Sequence, residues 1–385
     1  MSIIKRITVT RFEYPLRNIG VAPNGFDSVY KANHTGTGSQ QVVTIETDDG
    51  VRGEYMGGMG LMMSQILYLA PKMIGANAFH REFFHDEFKR ALRKFDRMGV
   101  GPLDNCLWDW AGKKLGCSVQ QLLGASKTRI KAYASTYHGD REGGLSTPED
   151  FASFAEECYD LGFRAFKMHG WPDGIVEEEE AAILLLGERV GDRMALMYDS
   201  ACHLRTFADA VRVGLACDKA NFFWYEDPYR DSGISQQGHR KLRELIRTPL
   251  LIGEHVRGLE AKADFVAADA TDFVRVNPDY DMGITGAVKI AHMAEAAGLD
   301  VEVHSSGPAQ RHCVAAFRNT NYYELGLVGR NCDASRAPAY LGDYSDTLQS
   351  VDSEGYVPVP QGVGLGVTYN WDMIEQKKVE QHIFE

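Results

Sequence analysis

The sequence predicts an α/β fold: a modified (β/α)8, TIM-like barrel preceded by an α+β capping domain and followed by a tail that returns to the cap. Three observations carry this reading. From residue 130 onward, short apolar runs recur at roughly 20- to 35-residue intervals, each followed by a charged helical segment. Polar residues stand at the C-terminal end of run after run, which is where barrel enzymes build their sites. The first 125 residues lack this alternation and read as antiparallel strands followed by helices. Strand-helix alternation also suits a doubly wound sheet, but the recurring polar tips favour the barrel.

Residues 2–15 alternate as a strand, and QQVVTIETDDGVRGEY reads as two more around the turn formers Asp48, Asp49 and Gly50. Between them, residues 18–40 are rich in Gly, Asn and Ser and are expected to form a long loop that acts as a lid over a site. Helical spacing runs from 63 to 124, and the helix in GPLDNCLWDWAGKKLG is expected to stop near Gly116. The capping domain is therefore assigned to 1–125. The eight runs IKAYAST, FRAFKMH, MALMYDS, NFFWYEDP, PLLIGEH, DFVRVNPD, LDVEVHS and NYYELGLV assign the barrel to 126–350, and the tail at 351–385 is expected to pack on the cap.

Composition bounds the function. A chain of 385 residues with 44% hydrophobic and 24% charged residues is an ordinary globular protein, long enough for one large core and one smaller one. A formal net charge of -12 argues against nucleic acid and anionic membranes as partners, since both need clustered Lys and Arg, and leaves a small anionic substrate open. The cysteines, Cys106, Cys117, Cys158, Cys202, Cys217, Cys313 and Cys332, are odd in number and form no CxxC pair, which speaks against a disulfide framework or a zinc cluster. The N-terminus has no apolar leader core, and no run of about 18 apolar residues occurs, so a reduced, cytoplasmic protein is expected.

The chemistry concentrates at strand ends. Asp199, Glu226 and Glu254 end three consecutive runs at spacings of 27 and 28 residues. One such acid is ordinarily a cap or a salt bridge; three in register form a hard, all-oxygen site of the kind that selects Mg²⁺, with Mn²⁺ as the alternative. Lys167 and His169 alternate at the end of FRAFKMH and so point the same way. His304 ends LDVEVHS and Asp279 follows one strand earlier, an arrangement that suits a carboxylate-oriented general base; alone, such a His is more often structural. Glu324, on the last run, is a hydrogen-bond donor if protonated and an acceptor of substrate hydroxyls if not.

Taken in order, these motifs resemble the mandelate racemase subgroup of the enolase superfamily over essentially the whole chain. LDNCLWDWAGKKLGCSVQQLLG resembles the family's helix before the barrel, and Lys167-x-His169 its Kx(K/H/R) strand. Asp199, the EDP of Glu226 and the GE of Glu254 resemble its metal-ligand strands; Asp279 and His304 resemble its Asp-His dyad; Glu324 falls at its last-strand glutamate. The resemblance implies one Mg²⁺ per subunit, abstraction of the proton α to a carboxylate, an enediolate intermediate and a homo-oligomer. It implies dehydration of an acid sugar, aldonate or aldarate, to a 2-keto-3-deoxy acid, with racemase, epimerase or cycloisomerase as alternatives; outside enzymes, a silent sugar-acid binder is the remaining class. In one departure, Ala201 stands where many relatives carry Asn, two residues after the first metal ligand.

Other features read as structural. The acids at 177–180 are expected to open a helix on a solvated face, because acids favour the positive end of the helix dipole. His255 is expected to face away from the site as the strand neighbour of Glu254, Arg275 to face the barrel interior, and Lys131 to lie on the surface. Gly57, Gly58 and Gly60 do not match a nucleotide-binding loop.

Overall fold

Alternating apolar residues start the cap: Ile7 and Val9 are fully buried on strand β1 (Ile4–Val21) in the main core, and Phe12, out of phase with them, is buried in a separate cluster with Tyr14, Tyr369 and Ile374. The computed structural model describes residues 2–385. Strand β1 pairs antiparallel with β2 (Ser28–Thr47), which pairs with β3 (Arg52–Met56) through the turn at Asp48–Gly50, where Gly50 adopts a φ of 81°. Residues 18–40 are therefore not a long loop. Pairing of β1 with β2 continues to Val21↔Ser28, leaving a turn of six residues, 22–27, at the tip. The Gly and Asn content reads as loop locally, but the cross-strand ladder satisfies its backbone.

Helices α1 (Met63–Leu69), α2 (Arg81–Ala91), α3 (Val100–Leu115) and α4 (Val119–Leu122) follow. Helix α3 stops at Gly116, whose φ of 70° and N–H bond to the Gly112 carbonyl form a left-handed cap. The other end of α3 lies against the barrel: a Cβ on Gly101 would come within 2.2 Å of the Asp279 carbonyl oxygen, so only glycine permits that approach.

Eight parallel strands, one from each of the eight runs, then alternate with seven helices. They are β4 (Arg129–His138), α5 (Pro148–Leu161), β5 (Ala165–His169), α6 (Val176–Val190), β6 (Ala195–Asp199), α7 (Phe207–Ala220), β7 (Trp224–Glu226) and α8 (Gln236–Arg243). The set continues with β8 (Leu250–Ile252), α9 (Leu259–Ala267), β9 (Phe273–Val276), α10 (Gly283–Ala296), β10 (Asp300–Val303), α11 (Pro308–Ala316) and β11 (Tyr323–Val328). Pairing of β11 with β4 closes the barrel. Among the described residues no α-helix follows β11 before residue 371; largely irregular chain takes its place, which is the modification of the ideal fold.

The barrel interior is layered. Tyr133, Ala165, Met197, Trp224 and Leu251 pack as an apolar plug, each such side chain worth about 1.5–3 kcal/mol when large and fully buried. Two residues further along the same strands, on the same pleat face, come Lys167, Asp199 and Glu226. The pleat thus stacks charge directly on the plug. Arg275 is buried in the same layer, and Lys131 is exposed.

In the tail, β12 (Tyr340–Leu341) pairs with β14 (Thr368–Tyr369), and β13 (Tyr356–Pro358) pairs with the start of β4. After α12 (Trp371–Gln376), β15 (Lys378–Phe384) pairs antiparallel with β1, Ile7 opposite Phe384. Among the described residues no helix is long and apolar enough to cross a membrane. The acids at 177–180 do open α6, but Glu179 is buried: it accepts the Trp171 backbone N–H at 2.8 Å, and burial pushes its carboxyl up to about 8.

Candidate active site

At the C-terminal ends of β6, β7 and β8, carboxylate oxygens of Asp199, Glu226 and Glu254 lie within 4.8 Å of one another. Their register follows from the pairing, with Asp199 opposite Glu226 on adjacent strands. Lys167 is completely buried beside them. Its ammonium is 3.0 Å from Asp199 Oδ2, 3.0 Å from Glu226 Oε2 and 3.1 Å from Glu324 Oε1. Arg275 Nε lies 2.7 Å from Glu226 Oε1, and its Nη2 is 3.3 Å from Glu324 Oε2.

Asp199, Glu226, Glu254 and Glu324 face only two permanent cations, Lys167 and Arg275, so with all four acids ionised two negative charges would stand uncompensated in the site. The donor set is all oxygen, and the missing charge is that of a divalent cation. Burial works to raise Asp199, but Lys167 and His169 overcome it and hold that carboxyl well below the usual carboxylate range. For Glu226 burial prevails, and its carboxyl rises far above the usual range. Three carboxylates this close do not share one ionisation behaviour unless positive charge joins them.

Glu324 accepts from Ser135 Oγ at 2.8 Å and from the Ser305 backbone N–H at 2.6 Å. Against the upward push of burial, Lys167, Arg275 and His304 hold it well below the usual range. It stands here as an ionised acceptor rather than a donor.

The two histidines differ. His169 Nδ1 is 2.7 Å from the Thr136 carbonyl oxygen, which can only accept, so Nδ1 carries hydrogen; Nε2 faces Asp199 Oδ2 at 3.1 Å. His304 Nδ1 is 2.7 Å from Asn277 Nδ2. The Asn277 amide is oriented by its Oδ1, which accepts the Asp279 N–H at 2.8 Å, so the amide nitrogen donates to His304 and the proton of neutral His304 sits on Nε2, 3.3 Å from Glu254 Oε2. Burial lowers His304 to about 4. The structure does not bring Asp279 to His304: Asp279 accepts from Tyr55 Oη at 2.7 Å and from Gln310 Nε2 at 3.4 Å.

His255 lines the same cavity, contrary to the alternation argument, because β8 ends at Ile252 and Gly253 breaks the pleat with a φ of 129°. Its Nε2 is 3.1 Å from Asp227 Oδ2; burial lowers its affinity for a proton, but Asp227 more than offsets this and brings it to about 10. Ala201 holds a left-handed φ of 47° and donates its N–H to Asp199 Oδ1 at 2.8 Å, so its backbone supports the first carboxylate directly.

The cavity, about 400 Å³, is roofed by Leu16, Ile19 and Phe26 of the β1–β2 hairpin. The hairpin tip is fastened to the barrel by Asp27, which is 2.7 Å from His203 Nε2 and 3.5 Å from His138 Nε2. The His138 ring in turn lies 4.8 Å, centroid to centroid, from His169. Asp27, His138, His203 and Asn277 were not singled out in the sequence. The signal for His138 was present, since it is the polar tip of the first barrel strand, as Asn277 follows the end of the sixth.

Two family models match the chain: the mandelate racemase / muconate lactonizing enzyme N-terminal domain over residues 28–124, and the enolase C-terminal domain-like model over residues 150–373. A D-gluconate dehydratase from Thermoproteus tenax is 25% identical over 317 residues, which is 78% of this chain and 60% of that relative's own length. An N-succinyl-L-Arg/Lys racemase from Bacillus cereus is 26% identical over 355 residues, covering 89% of this chain and 91% of that one. Among solved structures, a D-glucarate dehydratase from Agrobacterium tumefaciens complexed with magnesium superposes with a TM-score of 0.83 at 26% identity, over 98% of this chain and 99% of the other. Barrel, cap, strand-end carboxylates and matched models agree, and the chain belongs to the enolase superfamily, with the mandelate racemase and muconate lactonizing enzyme domain arrangement.

Proposed function

We propose that this protein is a Mg²⁺-dependent acid-sugar dehydratase that converts an aldonate or aldarate to a 2-keto-3-deoxy acid. The observation that supports dehydration over racemisation is the inequality of the two histidines. Racemisation needs a proton acceptor on each face of the α-carbon, whereas here neutral His304 offers an N–H, and His169 alone would offer an acceptor, at Nε2, once Asp199 turns from it to the cation.

Asp199, Glu226 and Glu254 would hold the cation. When bound, it supplies divalent charge for the substrate carboxylate and for the negative charge that develops as the α-proton leaves. His169 takes that proton at Nε2 while the Thr136 carbonyl keeps Nδ1–H in place. As an imidazolium it returns the proton to the departing β-hydroxyl, so water leaves and the proton count closes. The Nε2–H of His304 hydrogen-bonds substrate oxygen from the other side, and Glu324, with Lys167 and Arg275, fixes the charged layer beneath. The hairpin roof excludes water from the site.

The test is a panel of mono- and diacid sugars with Mg²⁺, assayed for 2-keto acid beside His169→Ala and His304→Asn. Keto acid formation that falls at least about a hundredfold in His169→Ala supports the reading. Deuterium entering unconsumed substrate, with no keto acid, would establish a racemase or epimerase instead. Silence in both assays, with no Mg²⁺ bound in a titration, would identify a binder.

A further inference from the structure

The cavity holds a cation that the chemistry above does not use. Arg336, on the irregular chain after β11, lines the cavity, and its one recorded hydrogen bond goes to Ser305 Oγ. Among the described residues no carboxylate lies within ion-pair distance of it, whereas His255, the other strongly cationic group on the lining, is matched by Asp227 at 3.1 Å. A partly buried guanidinium with one neutral partner leaves most of its five N–H donors free for a ligand.

Its position in the ring matters. The carboxylate centre is built on β6, β7 and β8, whereas Arg336 follows β11 and reaches Ser305, just past β10, so it stands on a different stretch of the same cavity wall. A molecule whose first carboxylate met a cation held by Asp199, Glu226 and Glu254 would share this cavity with Arg336, which is open to its other end. Gln40 of β2 lines the same cavity, and its Oε1 is buried without a hydrogen-bond partner and is free to accept from a hydroxyl. Two acids near Arg336, both beyond ion-pair distance, are engaged elsewhere: Asp279 accepts from Tyr55 Oη at 2.7 Å and Gln310 Nε2 at 3.4 Å, and Asp346 is held by Arg311 Nη2 at 2.7 Å, with Tyr323 at 2.6 Å and Tyr344 at 2.9 Å.

From this geometry we infer that Arg336 binds the distal carboxylate of a diacid substrate, with Gln40 accepting from a hydroxyl of its chain, so that the protein takes aldarates rather than aldonates. The inference rests on the acid-sugar reading above and narrows it. A terminal CH₂OH satisfies a hydroxyl acceptor but leaves the guanidinium without a direct ion pair; a carboxylate gives it a bidentate, charge-assisted one.

The test uses the Mg²⁺-loaded protein and two matched pairs of six-carbon acids that differ only at C6: D-glucarate with D-gluconate, and galactarate with D-galactonate. Binding is read by calorimetry, and kcat/KM by keto acid formation where turnover occurs. Wild type is expected to favour the diacid of a pair by roughly ten- to a hundredfold, and Arg336→Gln to reduce that ratio to near one. Arg336→Lys, which keeps the charge and loses the fork, is expected to fall between. Equal binding of both members by wild type, or a diacid preference that survives in Arg336→Gln, overturns the inference. Absence of keto acid across the panel would count against dehydration alone, since the binding ratio still reads Arg336 directly.

Discussion

The Asn277 amide nitrogen lies 2.7 Å from His304 Nδ1, in the place where a carboxylate would make that imidazole a base. An amide N–H and a carboxylate demand opposite tautomers. Asn277→Asp is nearly isosteric and keeps an oxygen for the Asp279 N–H, but it accepts from Nδ1 and so turns Nε2 into a lone pair. His304 is then expected to titrate well above its present value of about 4, by NMR, since the new carboxylate favours the imidazolium. The ratio of α-deuterium exchange to keto acid formation is expected to rise by roughly tenfold or more, because the site gains a second base. An unchanged ratio would show that Asn277 does not set the asymmetry.

Arg275 tests the charge balance of the carboxylate layer. Arg275→Met leaves Glu226 and Glu324 with Lys167 as their remaining permanent cation, and stability is expected to fall by about 3–5 kcal/mol, the cost of breaking a buried ion pair from one side. For the wild type, Mg²⁺ at about 100 times its Kd is expected to stabilise the fold by about 2.7 kcal/mol in chemical denaturation. Wild-type stability that does not respond to Mg²⁺ would remove the cation from the site.

Acid is expected to unfold this protein early. Burial lowers His138, His304 and His312 to about 4 each. The unfolded chain takes up these protons near ~6.5 and the folded one only near 4, so between those values the unfolded state binds more protons and stability falls as pH falls. Each group contributes at most about 1.4 kcal/mol per pH unit in that window. Denaturation midpoints measured from pH 7 to 4 should show the decline, and His312→Asn, remote from the cavity, should make it shallower. A curve flat through this window would contradict the placement of the three rings.

Asp27 fastens the hairpin roof through His203 and His138. Asp27→Ala is expected to raise KM by roughly tenfold and to speed amide hydrogen exchange at 22–28, with a Tm change small against that of a core substitution, because the barrel is untouched. Unchanged exchange at the tip would show that its docking does not depend on this residue.

The barrel and the triad of carboxylates were legible because they rest on local patterns repeated in register. A strand of three to five residues with an acid at its tip reads the same wherever it occurs, and closure of the ring converts equal spacing into proximity, as Asp199 opposite Glu226 illustrates. The end of α3 at Gly116 was legible for a similar reason, since a left-handed cap is a property of one residue.

What lay outside sequence reasoning depended on partners distant in the chain. The hairpin at 18–40 looked like a loop because its Gly and Asn content is local, while the ladder that holds it is not. His255 turned inward because β8 ends at Ile252, before the pleat could carry it away. Sequence by itself determined the barrel, the cap and the layer of strand-end acids, because periodicity and register act over a few residues at a time. Only the tertiary structure decided which ring nitrogen of each histidine meets which partner and that the arginine on the cavity wall makes no direct ion pair, because those depend on groups brought together from separate strands and loops.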